Sequence, residues 1–302
     1  MKISIICPIY NGEKYIKSLD NSIKLQKNVE IESIKYVLTE SNDKSEDILK
    51  KINAYYIKIK PTEFSHSLTR ESEAFNSKGD IIVFISQDVI IKDNNWLYNL
   101  TKHIMDGSCE AAFSRQICEN NSIEKYIRNK NYPAESRVVS KDDLEKLGLM
   151  TFFFSDVSSA IRKDVFIKLN GYDNKDLIIS EDMYIAYKLI MNGYRIRYCA
   201  DSVVIHSHRF TCRQLFNRYF DTGVFFADNN YLNKYKANSS GFALAKYVLK
   251  SSIKDKNMKV LFNILPNFAS RYIGMQMGKK YKNLNNKKIM KYTMNINYWN
   301  NK

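Results

Sequence analysis

The sequence predicts an α/β fold, a mostly parallel sheet with helices on both faces, followed by a basic helical extension. Three observations predict it. Short β-branched runs alternate with segments of helical period through the first 230 residues, Pro, Asn-Gly and Asp-rich stops separate them, and 44% hydrophobic residues in a chain of 302 suffice for a packed core. With only 10 Gly and 4 Pro, collagen-like and low-complexity architectures are excluded.

Residues 2–7 (KISIIC) form the first strand, stopped by Pro8, and a helix follows with Tyr15, Ile16, Leu19 and Ile23 near one face. Residues 33–39 (SIKYVLT) are a strand, 45–52 a helix, 55–59 a strand and 65–76 a helix. Residues 80–86 (DIIVFIS) read as a strand buried on both faces. Beyond Asp93 come a helix, a strand near 110–116, and a polar stretch, 119–146, of loop and helix. Residues 158–162 are a strand and 163–169 a short helix ended by Asn170-Gly171. Ser180 is the N-cap of a helix carrying Met183, Ala186, Tyr187 and Ile190. Residues 203–208 form the last strand, 212–229 a helix, and 241–281 one or two more, interrupted by Pro266. In open sheets of this class ligands lie beyond the carboxyl ends of the strands, so residues 8–11, 39–43 and 86–88 are expected to converge on one crevice.

Charge is divided unevenly. Residues 1–200 hold 29 basic and 28 acidic side chains and 201–302 hold 18 and 4, so nearly all of the +15 sits in the last third. Such an end suits nucleic acid, an anionic membrane or an acidic polymer. Five cysteines, odd in number and without a CxxC pair, argue against a disulfide framework or a structural zinc. The longest apolar run, residues 81–85, is far below the roughly 18 residues of a membrane span, and the first 15 residues lack a signal-peptide pattern, which sets the expectation of a cytoplasmic protein.

Three groups carry chemistry. Asp88 follows the 80–86 strand at the mouth of the crevice, where it either ligates a hard cation such as Mg²⁺ or Mn²⁺ or starts the next turn. His206 and His208 are two apart, so on a strand they share a face; they either offer imidazoles to that metal or sit on an exposed edge. Glu181 and Asp182 follow Ser180 at a helix start, where the dipole favours an ionised carboxylate, and Asp182 is a general base or an ordinary first-turn acid.

These residues lie in a set of ordered motifs: CPIYNGEKYI at the N-terminus, FSHSLTR (64–70), SQD (86–88), FSRQ (113–116), Tyr132-Pro133, FFFSDVSSAIR (152–162), ISEDMYIAYKLIMNGYRIRYCADSVVIHSH (179–208) and RYFDTGVFF (218–226). The set resembles family 2 glycosyltransferases, in particular the bacterial rhamnosyltransferase branch. The resemblance implies a GT-A, Rossmann-like catalytic domain over residues 1–230 with a basic amphipathic extension over 231–302, and inverting transfer. It further implies that Pro8, Ile9 and Tyr10 line the base pocket, that Asp88 and a histidine of the pair hold a divalent metal on the diphosphate, and that Asp182 activates the acceptor hydroxyl.

Arg70 and Gln87 are assigned to the donor nucleotide, and Arg115, Gln116, Asp156 and Glu181 to the sugar or acceptor; ordinary pairing or turn roles are open to Arg70, Arg115, Gln116 and Asp156 as well. Two departures from the family pattern stand out. The acidic motif after the second strand is TESND (39–43), which leaves Glu40 and Asp43 sharing the contact to base or ribose, and Ser86 replaces the first Asp of D-x-D.

The implied donor is dTDP-L-rhamnose, with a UDP-hexose as the alternative, and the implied acceptor is a glycan or lipid-linked glycan of a surface polysaccharide. Residues 241–302, with 13 basic and 1 acidic residue interleaved with large apolar ones, either bind an anionic lipid surface at the inner face of the plasma membrane or pack on the catalytic domain. Nucleic-acid binding through this third is a competing class, but no helix-turn-helix, zinc-finger or RNP-like signature accompanies it, and nucleic acid is not the expected partner. A catalytically inactive sugar-nucleotide-binding module is a third reading, which Ser86 keeps open.

Overall fold

The computed structural model describes residues 1–235, 241–300 and 302. Among these, nine strands form one sheet: β1 (Lys2–Ile9), β2 (Glu30–Thr39), β3 (Tyr56–Ile59), β4 (Ile81–Ile85), β5 (Ile90–Ile91), β6 (Ala111–Ile117), β7 (Arg137–Val139), β8 (Ser158–Arg162) and β9 (Ile196–Ile205). Their order is β3-β2-β1-β4-β8-β6-β9-β5, with β7 also pairing β9. The strands β1 to β4 are mutually parallel where they pair, as expected. Beyond them the sheet is mixed, since β8 runs antiparallel to both β4 and β6 while β6 and β9 are parallel.

Period-2 alternation splits the core. On β1, Ile3, Ile5, Cys7 and Ile9 enter the layer beneath helices Ile16–Lys24, Ser45–Lys51 and Trp96–Met105, whereas Ile6 enters the layer under Leu68–Phe75, Lys163–Lys168 and Glu181–Met191. All five residues of β4 are fully buried, which is why that strand reads as a continuous apolar run. The cysteines are free, four of them buried and Cys212 exposed.

Four expectations are corrected. The last strand occupies 196–205, so His206 and His208 lie just past its end, in the loop. The polar stretch contains helix Ile123–Asn131 and β7, which pairs with β9. Ser180 does precede a helix, but at φ +64°, in the left-handed region, with no side-chain cap bond. Finally, Pro266 lies inside one helix, Met258–Lys279, without ending it. It is exposed, so the carbonyl deprived of its helical donor can turn to water.

The compositional boundary at residue 230 is crossed by packing. Helix Met258–Lys279 lies against Cys212–Asp228 so closely that a Cβ at Gly278 would collide with the Phe220 carbonyl oxygen and one at Gly274 with that of Phe216. Helix Gly241–Lys254 adds Val248 to a small core formed by Ile123, Tyr126, Ile127 and Val260. No helix among the described residues is long and apolar enough to cross a membrane.

Candidate active site

The loops at the carboxyl ends of β1, β2 and β4 meet, as the topology requires. Pro8, Ile9, Tyr10, Thr39, Ser86, Gln87 and Asp88 line a cleft of about 670 Å³. A second cleft of about 610 Å³ holds Gln116, Asp156, Glu181, Asp182, His206 and His208. His66, Arg70, Ser86, Asp88, Met294 and Asn295 line both, so Asp88 and Arg70 stand at the neck between two lobes.

Asp88, His206 and His208 form the one group among the described residues with metal-ligand geometry, their ligand atoms all within 4.8 Å of one another. His206 Nε2 is 3.5 Å from Asp88 Oδ1, His208 Nε2 is 3.4 Å from Oδ2, and the two imidazole Nε2 atoms are 2.6 Å apart. Burial pushes both imidazoles down, His208 to about 4 with His206 beside it as the next cause, so their lone pairs are free at neutral pH. Two lone pairs so close repel unless a proton or a cation lies between them.

The other ring nitrogen of His206, Nδ1, is 3.2 Å from Gln116 Oε1, the kind of hydrogen bond that orients a ligating imidazole from behind. These residues therefore fit a divalent cation held by one carboxylate and two imidazoles, a donor set with Ser86 in place of a second carboxylate.

Gln116 lines the second lobe, and its amide is engaged by neighbours on the cleft wall. Its Nε2 donates to Tyr132 Oη and Ser155 Oγ, both at 2.8 Å, and its Oε1 also accepts from Arg128. Arg115, one residue earlier on β6, points to the other side of the strand and lines neither lobe. Gln87 lines the first lobe, but both ends of its amide engage the Tyr10 backbone, at 2.9 and 2.7 Å, clasping the β1 loop to the β4 loop.

The acidic motif after β2 also differs from expectation, because neither Glu40 nor Asp43 lines the crevice. Partial burial raises the Asp43 carboxyl, but bonds from Ser45, Glu13 N–H and Ser41 overcome it and hold it below the ordinary range, bracing the loop before helix Ser45–Lys51. Thr39 is the residue of that motif that faces the cleft.

The second lobe gathers three carboxyls around one guanidinium. Arg70 Nη1 lies 3.2 Å from Glu181 Oε1 and donates to the His66 carbonyl at 2.8 Å. Burial raises the Glu181 carboxyl, yet Arg70 outweighs it and keeps Glu181 below its usual value. Asp156 accepts from Ser159 Oγ at 2.7 Å and Tyr172 Oη at 3.0 Å, and burial pushes it up to about 6.

Asp182 is pushed well above the aspartate range, first by burial and then by Glu181 and Asp156. Burial and the two carboxyl neighbours thus outweigh the helix start and its one N–H bond from Met183 at 2.7 Å. A carboxyl raised in this way is closer to neutral pH and better matched to taking a proton from a hydroxyl.

Four side chains of this site are not singled out by the sequence. Arg128 touches His206 Nδ1 at 3.1 Å. Arg271 donates to Tyr219 Oη at 2.7 Å and pairs with Glu124. Arg218, exposed on the wall of the second lobe, and Asn295, shared by both lobes, complete the set. Only Arg218 carries a signal, as the first residue of the quoted RYFDTG motif.

The fold has counterparts among solved structures. It superposes on the mannosyltransferase PcManGT from Pyrobaculum calidifontis in complex with GDP-Man and Mn²⁺ with a TM-score of 0.59 at 15% identity, covering 93% of this chain and 86% of that one. The S. aureus TarS 1–349 structure in complex with UDP-GlcNAc aligns with a TM-score of 0.54 at 15% identity over 93% and 92%.

Residues 4–169 match the glycosyl transferase family 2 model, and the chain belongs to that family of glycosyltransferases. It is 34% identical over 311 residues to the O-antigen chain rhamnosyltransferase RfbN of Salmonella typhimurium, covering 100% of this chain and 97% of the relative. It is also 34% identical over 266 residues to the O-antigen chain rhamnosyltransferase WbaN of Salmonella anatum, covering 86% and 84%.

Proposed function

We propose that the protein transfers L-rhamnose from dTDP-L-rhamnose, with inversion, to a hydroxyl of a growing, lipid-linked O-antigen-type polysaccharide. The observation that carries this reading is the two-lobed crevice, with a cation donor set at its neck and a raised carboxyl, Asp182, in the second lobe. The acceptor oxygen forms a bond to the anomeric carbon, the bond from that carbon to the diphosphate oxygen breaks, and Asp182 takes the hydroxyl proton. One base and one pole of positive charge are what a single displacement needs. The sugar and acceptor class rest on similarity to two O-antigen chain rhamnosyltransferases, one over the full length of this chain and the other over 86% of it.

A thermal-shift panel tests the donor. With Mn²⁺ present, dTDP-L-rhamnose at about 100 times its Kd is expected to stabilise the fold by ~2.7 kcal/mol, and UDP-hexoses or a short oligonucleotide far less. A shift with a UDP-hexose alone removes the rhamnose assignment, and a shift with the oligonucleotide alone removes the whole reading.

The C-terminal helices support a location at an anionic lipid surface on the inner face of the plasma membrane. On helix Met258–Lys279, Met258, Phe262, Leu265, Tyr272 and Ile273 are exposed, Phe262 by 78% and Leu265 by 79%, and at about 100° per residue they share one face. Phe242, Leu249 and Ile253 do the same on helix Gly241–Lys254, with Lys246, Lys250 and Lys254 alongside. Apolar side chains flanked by lysines are what an interfacial helix presents.

Replacing Phe262 and Leu265 by Ser should reduce co-sedimentation of the full chain with anionic vesicles by roughly tenfold or more, given ~1.5–3 kcal/mol for each large side chain fully withdrawn from water. Unchanged co-sedimentation removes the membrane assignment.

A further inference from the structure

Two features of the first lobe are unused by the chemistry above. Thr39, at the end of β2, is only 4% exposed, lines the cleft, and its Oγ1 has no hydrogen-bond partner. A buried hydroxyl without a partner is costly, and such a group on a cleft wall marks the place of a ligand atom.

The same cleft is lined by Ile296, Asn297 and Tyr298, from the far end of the chain. This segment is held firmly. Asp221, fully buried on helix Cys212–Asp228, accepts from Thr293 Oγ1 at 2.7 Å, Met294 N–H at 2.8 Å and Asn295 Nδ2 at 3.1 Å. Asn295 Nδ2 also reaches the Ile178 carbonyl, and Asn297 Nδ2 the Pro61 carbonyl, both at 3.0 Å. The segment is therefore tied to the loop before Ser180 on one side and to the loop after β3 on the other.

We propose that residues 293–298, latched by Asp221, are the second wall of the donor's nucleobase slot, and that the Thr39 hydroxyl hydrogen-bonds the edge of that base. The slot has an apolar lining, Pro8, Tyr10, Pro61 and Phe64 together with Ile296 and Tyr298, which suits the faces of a planar base. The single orphan hydroxyl both donates and accepts, and so matches a base edge carrying an N–H beside a carbonyl. Glu40 and Asp43, the acids nearest in sequence, do not line the cleft. The inference rests on the reading of the protein as a nucleotide-sugar transferase and adds the residues that select the nucleotide.

The test is calorimetric titration of the full-length protein, with Mn²⁺, using dTDP and inorganic pyrophosphate as probes. Thr39→Val keeps the side chain's shape and is expected to weaken dTDP binding by roughly 3- to 12-fold, the contribution of one neutral hydrogen bond, with pyrophosphate binding unchanged and Thr39→Ser restoring dTDP. Thr293→Val, which loosens the latch without touching the cleft, should weaken dTDP and spare pyrophosphate in the same way. Unaltered dTDP binding in both valine variants, or an equal loss of dTDP and pyrophosphate, overturns the slot. Wild-type protein that binds UDP and not dTDP overturns the donor alone, and a loss of UDP in Thr39→Val then supports the slot. Wild-type protein that binds neither nucleotide overturns both.

Discussion

Asp182→Asn is expected to lower kcat by roughly 10²–10⁴-fold, the contribution of a positioned general base, while donor binding in a titration stays as in the wild type. The amide keeps the shape and the bond from Met183 but cannot take a proton. Donor binding is spared because Asp182 lines the second lobe and not the first.

The pH profile is a second readout. A base works only when deprotonated, so kcat/KM falls as pH is lowered through its pKa, and the raised Asp182 carboxyl places that limb well above the ordinary aspartate range. Glu181 and Asp156 are among the causes, so Asp156→Asn is expected to move the limb to lower pH. Wild-type turnover in Asp182→Asn would assign the proton to another group.

Asp88→Ala is expected to abolish the metal-dependent part of donor binding, with a loss of metal affinity beyond the roughly 10–100-fold that hydrogen-bond partners of the ligands contribute. Asp88 is the one carboxylate of the donor set, and without it two neutral imidazoles face a divalent cation with no negative charge to offset it. A thermal-shift titration with Mn²⁺ and dTDP measures the effect. Retention of the metal-dependent shift in both Asp88→Ala and His206→Ala would place the cation elsewhere.

Both predictions concern residues that are legible in the amino-acid sequence. A carboxylate after a buried strand lies at the carboxyl edge of the sheet whatever the loops do, and Asp88 is found there. The H-x-H pair stands out in the sequence for a reason that is incomplete, since the shared face of a strand does not exist beyond Ile205. What unites the histidines is the loop that brings both Nε2 atoms to Asp88. Asp182 does stand at a helix start, but its ionisation depends first on burial and then on Glu181 and Asp156, and Asp156 arrives from another part of the chain.

Residues 1–90 show what sequence determines by itself. Period-2 and 3.6-residue patterning, with Pro8 and the TESND stop, specify β1 to β4 and their helices, because each element's buried face is written locally in its own side chains. The order of those strands follows from short connections and puts Pro8, Thr39 and Asp88 on one edge. Tertiary structure alone decided the rest. Gln116 was brought against His206, Arg115 was excluded from the crevice, and Arg271 and Asn295 were carried into it from the basic third that composition had set apart. The reason is physical: a side chain's facing is a local property, whereas its partners, its burial and hence its charge depend on segments distant in sequence, 90 residues for Gln116 and His206 and 147 for Glu124 and Arg271, which meet only in the folded chain.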